Sequence, residues 1–506
     1  MTLAGFEVAE AAPSVARELG GDAPAKAATA TARAAAALPP LERLWGWGRS
    51  SSALSHVVRP STRDGLEAAL DLARRTGLRV GLRGAGQSYG DAALASGGMI
   101  LDGSRLARIL DWDPDRGIAR VEPGVTIATL WRHAIEDGWW PAVVPGTSLA
   151  TVGGCAAANA HGKNNWKAGS FGEHVDGFEL LLPSGDVVVC SRTQNPELFH
   201  GAIGGFGMLG CFSSVTLRLK RIHSPVLDVV PIAARNLREM LDAFASRLES
   251  ADYLVGWLDA FARGDRLGRG LVHAASHREP GGPAPDRAAF RSDLQDLPDT
   301  LLHAFPKSEA WRVLRVLFNP PAMRAVNSVK YMLGRREAGR GYAQPHAQFA
   351  FLLDFFPDWR RAYGPDGMIQ YQSFVPEADA ERVFRAQIEL AQRQGLVPLL
   401  GVVKRHRLDP FPMTHAVDGY SLALEFKIPR GRRADLWRLA RAMDPLVLDA
   451  GGRFYFAKDA TLSHESLERW LAEERVQRFL ALKARVDPEG LLETDLYRRI
   501  FRPWSD

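Results

Sequence analysis

Cysteine is scarce in this chain, which has three in 506 residues. Cys155, Cys190 and Cys211 form no Cys-x-x-Cys pair, and any disulfide scheme leaves one thiol over. A disulfide-stabilised scaffold is therefore excluded, and reduced thiols in a reducing compartment are expected. Metal-finger spacings are also lacking, so the sequence predicts no metal site.

Long apolar runs are missing as well. No window reaches about 18 apolar residues, so no membrane-spanning helix is expected. Residues 1–45 hold ten alanines between positions 21 and 40 but lack the basic start and apolar core of a signal peptide, which predicts a disordered N-terminal tail. The expected location is cytoplasmic, and a peripheral contact at the inner face of the membrane is left open.

Charge of one sign does not dominate either. The 63 Lys and Arg are scattered among 58 Asp and Glu, for a net charge of +5. Because no basic stripe and no helix-turn-helix, zinc-finger or RNP pattern is present, nucleic-acid binding is not expected. The 46% hydrophobic share is ample for a core, and the length suggests two or more folding units or one large two-lobed enzyme.

A glycine-rich turn follows a predicted strand in the segment Gly81–Asp91. Its spacing is Gly84-x-Gly86-x-x-x-Gly90, whereas a Rossmann fingerprint needs Gly-x-Gly-x-x-Gly at the start of a helix. The following residues, 95–102, have the pattern of a loop and a strand, which excludes the Rossmann interpretation. A different diphosphate cradle and an ordinary glycine-rich turn remain as alternatives.

Residues 141–172 are mostly small, glycine or polar residues around a single histidine, His161. A packed core does not use such small side chains over a long stretch, but a backbone lying against a large planar ligand does. With the glycine-rich turn, this stretch resembles the FAD-binding fold of the vanillyl-alcohol-oxidase (PCMH-type) family. The matching segments are Arg83–Ser88, Pro145–Thr147, Val152–Gly154 and Gly204–Gly210.

Within that family, the chain resembles the decaprenylphosphoryl-β-D-ribose oxidase branch more closely than the family as a whole. This resemblance runs from about Leu44 to about Trp504. The segments that carry this resemblance are Ser88–Asp91, His161–Asn164, Gly169–Gly172, Ala362–Pro365, Gln370–Gln372 and Ala457–Asp459. The resemblance implies an α+β fold, in which a PCMH-type FAD-binding domain of two α/β subdomains is joined to an antiparallel-sheet cap domain. The expected units are the tail 1–45, the FAD-binding domain 46–221, the substrate-binding cap domain 222–452 and a C-terminal segment 453–506 that returns to the FAD domain.

The resemblance also implies a set of cofactor-binding residues. They are Arg83, Gly84, Ala85, Gly86, Gln87, Ser88, Tyr89, Gly90, Asp91, Gly146, Thr151, Val152, Gly153, Gly154, Ala158, His161, Phe212 and Tyr455. Many relatives carry a histidine bonded covalently to the flavin at the position of Gln87. Because glutamine is no nucleophile, non-covalent FAD is expected. His161 as a structural histidine that caps a turn remains an alternative.

The polar residues expected around the substrate come from several segments. The catalytic candidates are Lys458, Lys404, Gln372 and Tyr371, and the substrate-binding candidates are Lys163, Ser421 and Ala423. Lys458 is the candidate for stabilising negative charge on the reduced flavin, and Lys404 is a candidate base, because desolvation near another cation lowers the pKa of a lysine. Surface exposure of these lysines is the alternative. Ser421, Ala423 and Ala350 differ from the residues expected in the sugar pocket.

Residues 305–344 form a basic segment interleaved with large apolar side chains. Its basic residues are Lys307, Arg312, Arg315, Arg324, Lys330, Arg335, Arg336 and Arg340. Such a segment suits a polyprenyl phosphate or a membrane surface, although an ordinary surface helix also fits.

The predicted function is FAD-dependent oxidation of a secondary sugar hydroxyl to a ketone on a polyprenyl-phosphate pentose, the first half of an epimerisation. A soluble sugar, alditol or aldonolactone oxidase is the alternative. An NAD-dependent reductase partner is left open.

Overall fold

The computed structural model describes residues 38–278, 287–297, 299–301 and 305–502. Contacts group residues 39–506 into one unit and residues 1–38 into another. Residues 1–37 of the predicted tail lie outside the described residues. The end of that tail is corrected, because Leu41–Trp45 form a strand paired with the next strand of the chain.

Two sheets make up the first lobe, as far as the chain is described. The first has the order β1-β2-β4-β3, with β1 antiparallel and the other pairs parallel, and consists of β1 (Leu41–Trp45), β2 (Ser52–Val58), β3 (Val80–Arg83) and β4 (Met99–Asp102). The second is antiparallel with the order β5-β6-β10-β8-β9. Its strands, together with the short pair β7 and β11, are β5 (Ile109–Asp113), β6 (Ile118–Val121), β7 (Trp139–Trp140), β8 (Val175–Leu181), β9 (Val187–Ser191), β10 (Cys211–Arg218) and β11 (Lys220–Arg221).

The helices of this lobe are α1 (Arg63–Thr76), α2 (Ile127–Ile135), α3 (Val152–Ala157), α4 (Asn165–Ala168) and α5 (Pro196–Ala202). Helix α1 is the crossover between the parallel strands β2 and β3. Its N-cap Thr62 accepts from the Gly65 amide, and it ends at Gly77, whose φ of 69° is left-handed. A side-chain N-cap and a left-handed glycine at the C-terminal end are usual helix boundaries.

The second lobe is built on an antiparallel sheet that, within the described residues, has eight strands in the order β17-β12-β14-β13-β19-β20-β18-β21. Its strands, with the short pair β15 and β16, are β12 (Val226–Ala234), β13 (Tyr253–Leu258), β14 (Gly270–His277), β15 (Thr300–Leu301), β16 (Phe305–Pro306), β17 (Tyr342–Pro345), β18 (Met368–Pro376), β19 (Leu400–His406), β20 (Gly419–Lys427) and β21 (Arg453–Phe454). Since β21 pairs with β18, the predicted cap boundary at residue 452 is two residues too early.

The remaining helices are α6 (Leu237–Ala245), α7 (Ala310–Leu317), α8 (Pro320–Glu337), α9 (His346–Ala350), α10 (Glu377–Arg393), α11 (Arg433–Leu448), α12 (Glu468–Leu471), α13 (Glu474–Val486) and α14 (Asp495–Phe501). Residues of α6, α10 and α11 pack on one face of the cap sheet and form the largest apolar core with it. Of the helices in the described part of the chain, none combines the length and apolarity needed to cross a membrane.

The C-terminal segment ties the two lobes together. The Val80 amide of β3 donates to Leu491 O (2.7 Å), and the Tyr89 amide donates to Ala457 O (2.8 Å). Arg499 bridges Asp91 and Asp459 at 2.7 Å each. These contacts place the segment around Ala457 beside the glycine-rich loop.

Candidate active site

A cavity of about 860 Å³ lies between the loops of the first lobe and the cap sheet. This volume is in the range of ligand sites, about 300–1,000 Å³. Its walls come from the glycine-rich loop, the 145–161 segment, one face of the cap sheet, helices α7 and α8, and residues 455–458. Most of the predicted site residues line it: Arg83, Gly84, Ala85, Gly86, Gln87, Ser88, Gly146, Thr151, Gly153, Gly154, Ala158, His161, Lys163, Phe212, Gln372, Lys404, Ser421, Ala423, Tyr455 and Lys458.

The glycine-rich loop presents unpaired backbone donors to this cavity. Within the described residues, the N–H groups of residues 84–88 donate no hydrogen bond to the protein. A Cβ at Gly84 would overlap the Thr151 hydroxyl, and Gly86, at φ 66°, lies against the Arg83 guanidinium. Consecutive free amides in a concave turn suit an anion such as a diphosphate, and the close packing explains why two positions must be glycine.

Arg83 holds this loop from behind. Its guanidinium donates to Ala93 O (3.2 Å) and Trp45 O (3.0 Å), so β1 supports the loop directly. The strand that the sequence assigned to a disordered tail is therefore part of the support of the site.

Four predicted cofactor residues lie behind the cavity wall instead of in it, and their assignment is corrected. Asp91 is ion-paired with Arg499, and Gly90 packs against the Asp459 carbonyl. Tyr89 is buried, and its hydroxyl donates to Glu425 Oε1 (3.4 Å). Val152 is fully buried in the core of the first lobe. Three of the four are consecutive residues after Ser88, where the chain leaves the cavity to contact the C-terminal segment.

His161 and Gln372 both line the cavity and contact each other. The Gln372 amide nitrogen donates to His161 Nε2 (3.1 Å), which requires that the proton of the neutral ring is on Nδ1. Burial, followed by the charges of Lys404 and its neighbours, holds the pKa of His161 well below its usual value. His161 Nδ1 is buried, and it has no hydrogen-bond partner among the described residues.

Side chains alternate between the two faces of the cap sheet, and only those on one face line the cavity. Gln370 and Gln372 of β18 pair with Glu425 and Ala423 of β20, and these residues share the cavity face. Tyr371 lies between the two glutamines and points to the other face, where its hydroxyl donates to Asp444 Oδ1 (2.9 Å). The predicted catalytic role of Tyr371 is therefore wrong, since side chains alternate along a strand.

Lys404 and Lys458 both line the cavity. Burial lowers the pKa of Lys404 to about 8. Burial also lowers the pKa of Lys458, and the charge of Glu425 opposes that shift. Lys458 Nζ lies 3.7 Å from the centroid of the Tyr89 ring, so the ring face supports the ammonium. The alternative that these lysines are ordinary surface residues does not fit this geometry.

Glu425 is a cavity residue that the sequence analysis missed. Its carboxylate accepts from Gln370 Nε2 (2.6 Å), the Tyr363 hydroxyl (3.0 Å) and the Tyr89 hydroxyl (3.4 Å). Among the described residues that line the cavity, it is the only acid. The signal was present in the sequence, because Ser421, Ala423 and Glu425 follow the period of two that puts strand residues on one face.

The substrate candidates differ in their surroundings. Lys163 is buried, and its ammonium donates to Ala350 O (2.8 Å) and Phe349 O. Burial and the nearby Lys404 charge hold the pKa of Lys163 well below its usual value. Ser421 Oγ lies 2.8 Å from His406 Nε2. The expectation for Ala350 is corrected, because its carbonyl binds Lys163 while the Phe349 ring lines the cavity.

Comparisons with known proteins agree with this geometry. Residues 54–191 match the family described as the FAD binding domain. The chain is 31% identical over 476 residues to decaprenylphosphoryl-β-D-ribose oxidase of Mycolicibacterium smegmatis, an alignment that covers 91% of this chain and 97% of that protein. The protein belongs to the PCMH-type FAD-binding family. It is an FAD-dependent oxidoreductase with the α+β fold of that family, as the sequence predicted.

Other members of the family match over a smaller part. The chain is 28% identical over 171 residues to D-lactate dehydrogenase of Anaerostipes hadrus, covering 33% of this chain and 34% of that protein. It is 28% identical over 209 residues to L-gulonolactone oxidase of Bos taurus, covering 41% and 46%. Both of these alignments cover less than half of this chain.

Proposed function

We propose that the protein oxidises a secondary hydroxyl of a polyprenyl-phosphate pentose to a ketone. The observation that carries this proposal is the combination of charge and apolarity in one cavity. Among the described lining residues, Arg83, Lys163, Lys330, Lys404 and Lys458 are basic, whereas Glu425 alone is acidic. Such an excess of basic over acidic side chains favours an anionic substrate in addition to an anionic cofactor.

FAD fits the first-lobe side of the cavity. The free amides of residues 84–88 would hold its diphosphate, and the small residues Gly153, Gly154 and Ala158 would let the flavin approach the backbone. His161 lines the same wall of the cavity. Gln87 offers no nucleophile, so the cofactor would be held without a covalent bond.

The reacting hydroxyl would lie among the polar residues of the cap sheet. Bound FAD supplies an acceptor for the hydride removed from the carbon. Lys404 Nζ, with its lowered pKa, would take the hydroxyl proton, while Gln372 fixes the orientation of the hydroxyl. Lys458 would place a positive charge where negative charge develops, and Glu425 favours the charged form of Lys458.

An apolar wall adjoins this polar centre and suits a lipid chain. Its residues are Leu314, Phe318, Met323, Val326, Leu352, Leu353, Phe355, Phe356 and Trp359. Phe318 and Trp359 both pack edge-on against Tyr363 (4.8 and 5.7 Å between centroids), whose hydroxyl binds Glu425. The wall therefore begins directly beside the proposed reaction centre.

The outer faces of α7 and α8 support a peripheral contact with a membrane. Val316 is 73% exposed and Val313 53% exposed on α7, and Leu333 is 51% exposed on α8. Arg312, Arg315 and Arg324 are exposed on the same two helices. Apolar residues bordered by arginines suit an anionic lipid surface. A soluble sugar, alditol or aldonolactone would use neither this surface nor the apolar wall, which disfavours that alternative.

Product trapping tests the proposal. The holoenzyme is incubated with decaprenylphosphoryl ribose and an electron acceptor, and the product is reduced with borodeuteride. We expect one deuterium on a secondary ring carbon, as a ketone requires. If the lipid-linked sugar stays unlabelled while free ribose or an alditol is oxidised, the proposal is wrong. The ketone would be the substrate of a reductase using NADH or NADPH, which would complete an epimerisation.

A further inference from the structure

A serine in the cavity wall is bound to a histidine that lies behind that wall. Ser421 of β20 lines the cavity, and His406 is the last residue of β19. His406 lies on the same face of β19 as Lys404, because residues two apart on a strand point to the same side. The His406 side chain is fully buried and does not line the cavity. Its Nε2 lies 2.8 Å from Ser421 Oγ.

Within the described residues, the contact with Ser421 is the only hydrogen bond of the His406 side chain. Its other ring nitrogen, Nδ1, is buried and has no partner there. Burial, followed by the charges of His415 and Lys404, holds the pKa of His406 well below its usual value, so the ring is neutral. Burying a polar ring is unfavourable unless it is hydrogen-bonded. The bond to Ser421 is therefore what this histidine supplies and a phenylalanine of similar size would not.

Neighbouring aromatic rings hold the His406 ring in place. Its centroid lies 4.7 Å from that of Phe374 and 5.1 Å from that of His161, and both pairs meet edge-on. The position of Nε2 is thus fixed by close packing. A hydroxyl has one proton and two lone pairs. In either ring tautomer, the bond to Nε2 uses one of these, and the Ser421 hydroxyl keeps the others for a group in the cavity.

Lys404 and Ser421 are directly opposite each other on β19 and β20. The side chains of such a pair point the same way, with Cβ atoms about 4.5–5.5 Å apart. We propose that His406 orients the Ser421 hydroxyl so that it binds the sugar hydroxyl next to the one that Lys404 deprotonates. His406 is then a positioning residue, and the preferred substrate carries two adjacent hydroxyls. That a sugar is oxidised at Lys404 rests on the function proposed above.

A double-mutant cycle tests whether His406 acts through Ser421. His406→Phe removes the hydrogen bond and keeps the ring, His406→Gln keeps an amide in place of Nε2, and Ser421→Ala removes the hydroxyl. The matched control is His415→Phe, because His415 packs against Phe374 at the same 4.7 Å but does not line the cavity. Values of kcat and KM for farnesylphosphoryl ribose are measured with each FAD-loaded variant and with the double variant of His406→Phe and Ser421→Ala.

We expect His406→Phe and Ser421→Ala each to lower kcat/KM by about 2- to 10-fold, because a neutral hydrogen bond is worth about 0.5–1.5 kcal/mol. The double variant should lose no more than Ser421→Ala alone, since both changes remove the same interaction. His406→Gln should recover most of the wild-type value, and His415→Phe should stay close to it.

Deoxy analogues test what the Ser421 hydroxyl binds. Of the 2-deoxy and 3-deoxy analogues of farnesylphosphoryl ribose, the one that is still oxidised keeps the reacting hydroxyl and lacks its neighbour. With this analogue, His406→Phe and Ser421→Ala should both match the wild type, because the hydroxyl that they serve is missing.

The outcomes separate this inference from the proposed function. Wild-type kcat/KM in both single variants would overturn the inference, and so would a loss in His406→Phe that persists beside Ser421→Ala or is equal for the deoxy analogue. If the wild type oxidises ribitol but no lipid-linked sugar, the proposed function fails. The same variants are then compared with ribitol and its monodeoxy analogues, where a loss confined to ribitol would uphold the roles of His406 and Ser421. Absorbance of bound FAD shows that each variant is folded, and His406→Asn replaces His406→Phe if the latter loses FAD.

Discussion

At the scale of single residues, two lysines of the cavity have an uncommon environment. Lys404 and Lys458 come from distant segments and meet in one cavity. Burial lowers the pKa of each, and their mutual repulsion lowers that of Lys458 further. Perturbed lysines of this kind are typical of functional sites.

Removing either lysine should abolish turnover without loss of the cofactor. We expect Lys404→Met and Lys458→Met to lower kcat by about 10²–10³, the usual effect of losing one group that stabilises charge in the transition state. Lys167→Met is the control, because Lys167 pairs with Asp252 outside the cavity lining (2.9 Å). Steady-state kinetics and FAD absorbance would be measured together. Wild-type kcat in both variants would remove these lysines from the mechanism.

The pH dependence gives a second test of Lys404. A lysine accepts a proton only when it is neutral, so activity should rise with pH and reach half its maximum near the pKa of about 8. The pH profile of kcat would show this ascending limb in the wild type. The limb should be missing from the residual activity of Lys404→Met. A profile that rises with the same midpoint in that variant would assign the base to another group.

Gln87 leads to a prediction about the cofactor bond. Gln87 lines the cavity, and its Nε2 donates weakly to Ala85 O (3.3 Å). Because its amide is not nucleophilic, acid precipitation should release the yellow flavin into the supernatant. Absorbance of the supernatant and the pellet measures this. Flavin that stays with the precipitated chain would show a covalent bond to another residue.

At the scale of elements, strand β18 had two candidate residues, Gln372 and Tyr371, and only Gln372 lines the cavity. The Gln370–Gln372 segment was recognised from its resemblance to relatives, and Gln372 does line the cavity. Tyr371 was included because it lies in the same segment, although alternation sends it to the opposite face. Glu425 was missed because no motif marked it. Applying the period of two to β20 would have found it, since Ser421 and Ala423 were already candidates.

For helices α7 and α8, composition predicted the kind of surface but not which residues face the cavity. The basic and apolar character of residues 305–344 was evident in the sequence. Which residues face inward was not evident, because that depends on how the helices lie against the sheet. Lys330 is exposed but borders the cavity, and Lys307 is buried. Arg312, Arg315 and Arg324 are exposed and do not line the cavity.

Charge reversal on the exposed faces tests lipid recognition. Replacing Arg312, Arg315 and Arg324 by Glu should weaken binding to anionic liposomes, since each basic residue near such a surface is worth about 1 kcal/mol. The KM for a long-chain polyprenyl-phosphate sugar should rise, and that for a short-chain analogue should stay nearly unchanged. Liposome sedimentation and kinetics with both chain lengths measure these effects.

A control variant changes three exposed arginines elsewhere. Arg247, Arg266 and Arg430 are exposed and form no ion pair within the described residues. Their reversal to Glu should leave liposome binding closer to that of the wild type. If both triple variants respond alike, or if long and short chains respond equally in the first variant, α7 and α8 are ordinary surface helices.

At the scale of the whole molecule, the sequence predicted the lobes better than their connections. The glycine-rich loop and the small-residue segment each have a local pattern in the sequence, and both line the cavity. Strand β1 was not predicted, because the short segment Leu41–Trp45 gains its partners only from β2. The Arg499 bridge to Asp91 and Asp459 joins residues about 400 and 40 positions apart, and no local pattern encodes it.

The residues that determine the substrate class are also distant in sequence, so no local pattern predicts them. The family relationship establishes FAD and the oxidoreductase class, and one cavity brings together residues from both lobes and from the C-terminal segment. The charge of that cavity emerges only from the assembled fold, since Lys163, Lys330, Lys404 and Lys458 are far apart in sequence. The substrate class therefore depends on how both lobes and the C-terminal segment come together around the cavity.

Anaerobic reduction of the bound flavin tests this central claim most directly. The FAD-loaded protein is mixed without oxygen with decaprenylphosphoryl ribose, farnesylphosphoryl ribose, ribose 5-phosphate, free ribose, an alditol or an aldonolactone. We predict that the lipid-linked sugars bleach the yellow absorbance fastest and at the lowest concentration, because they alone fill both the cationic and the apolar parts of the cavity. Bleaching by free sugars, alditols or lactones, with none by the lipid-linked sugars, would contradict the account.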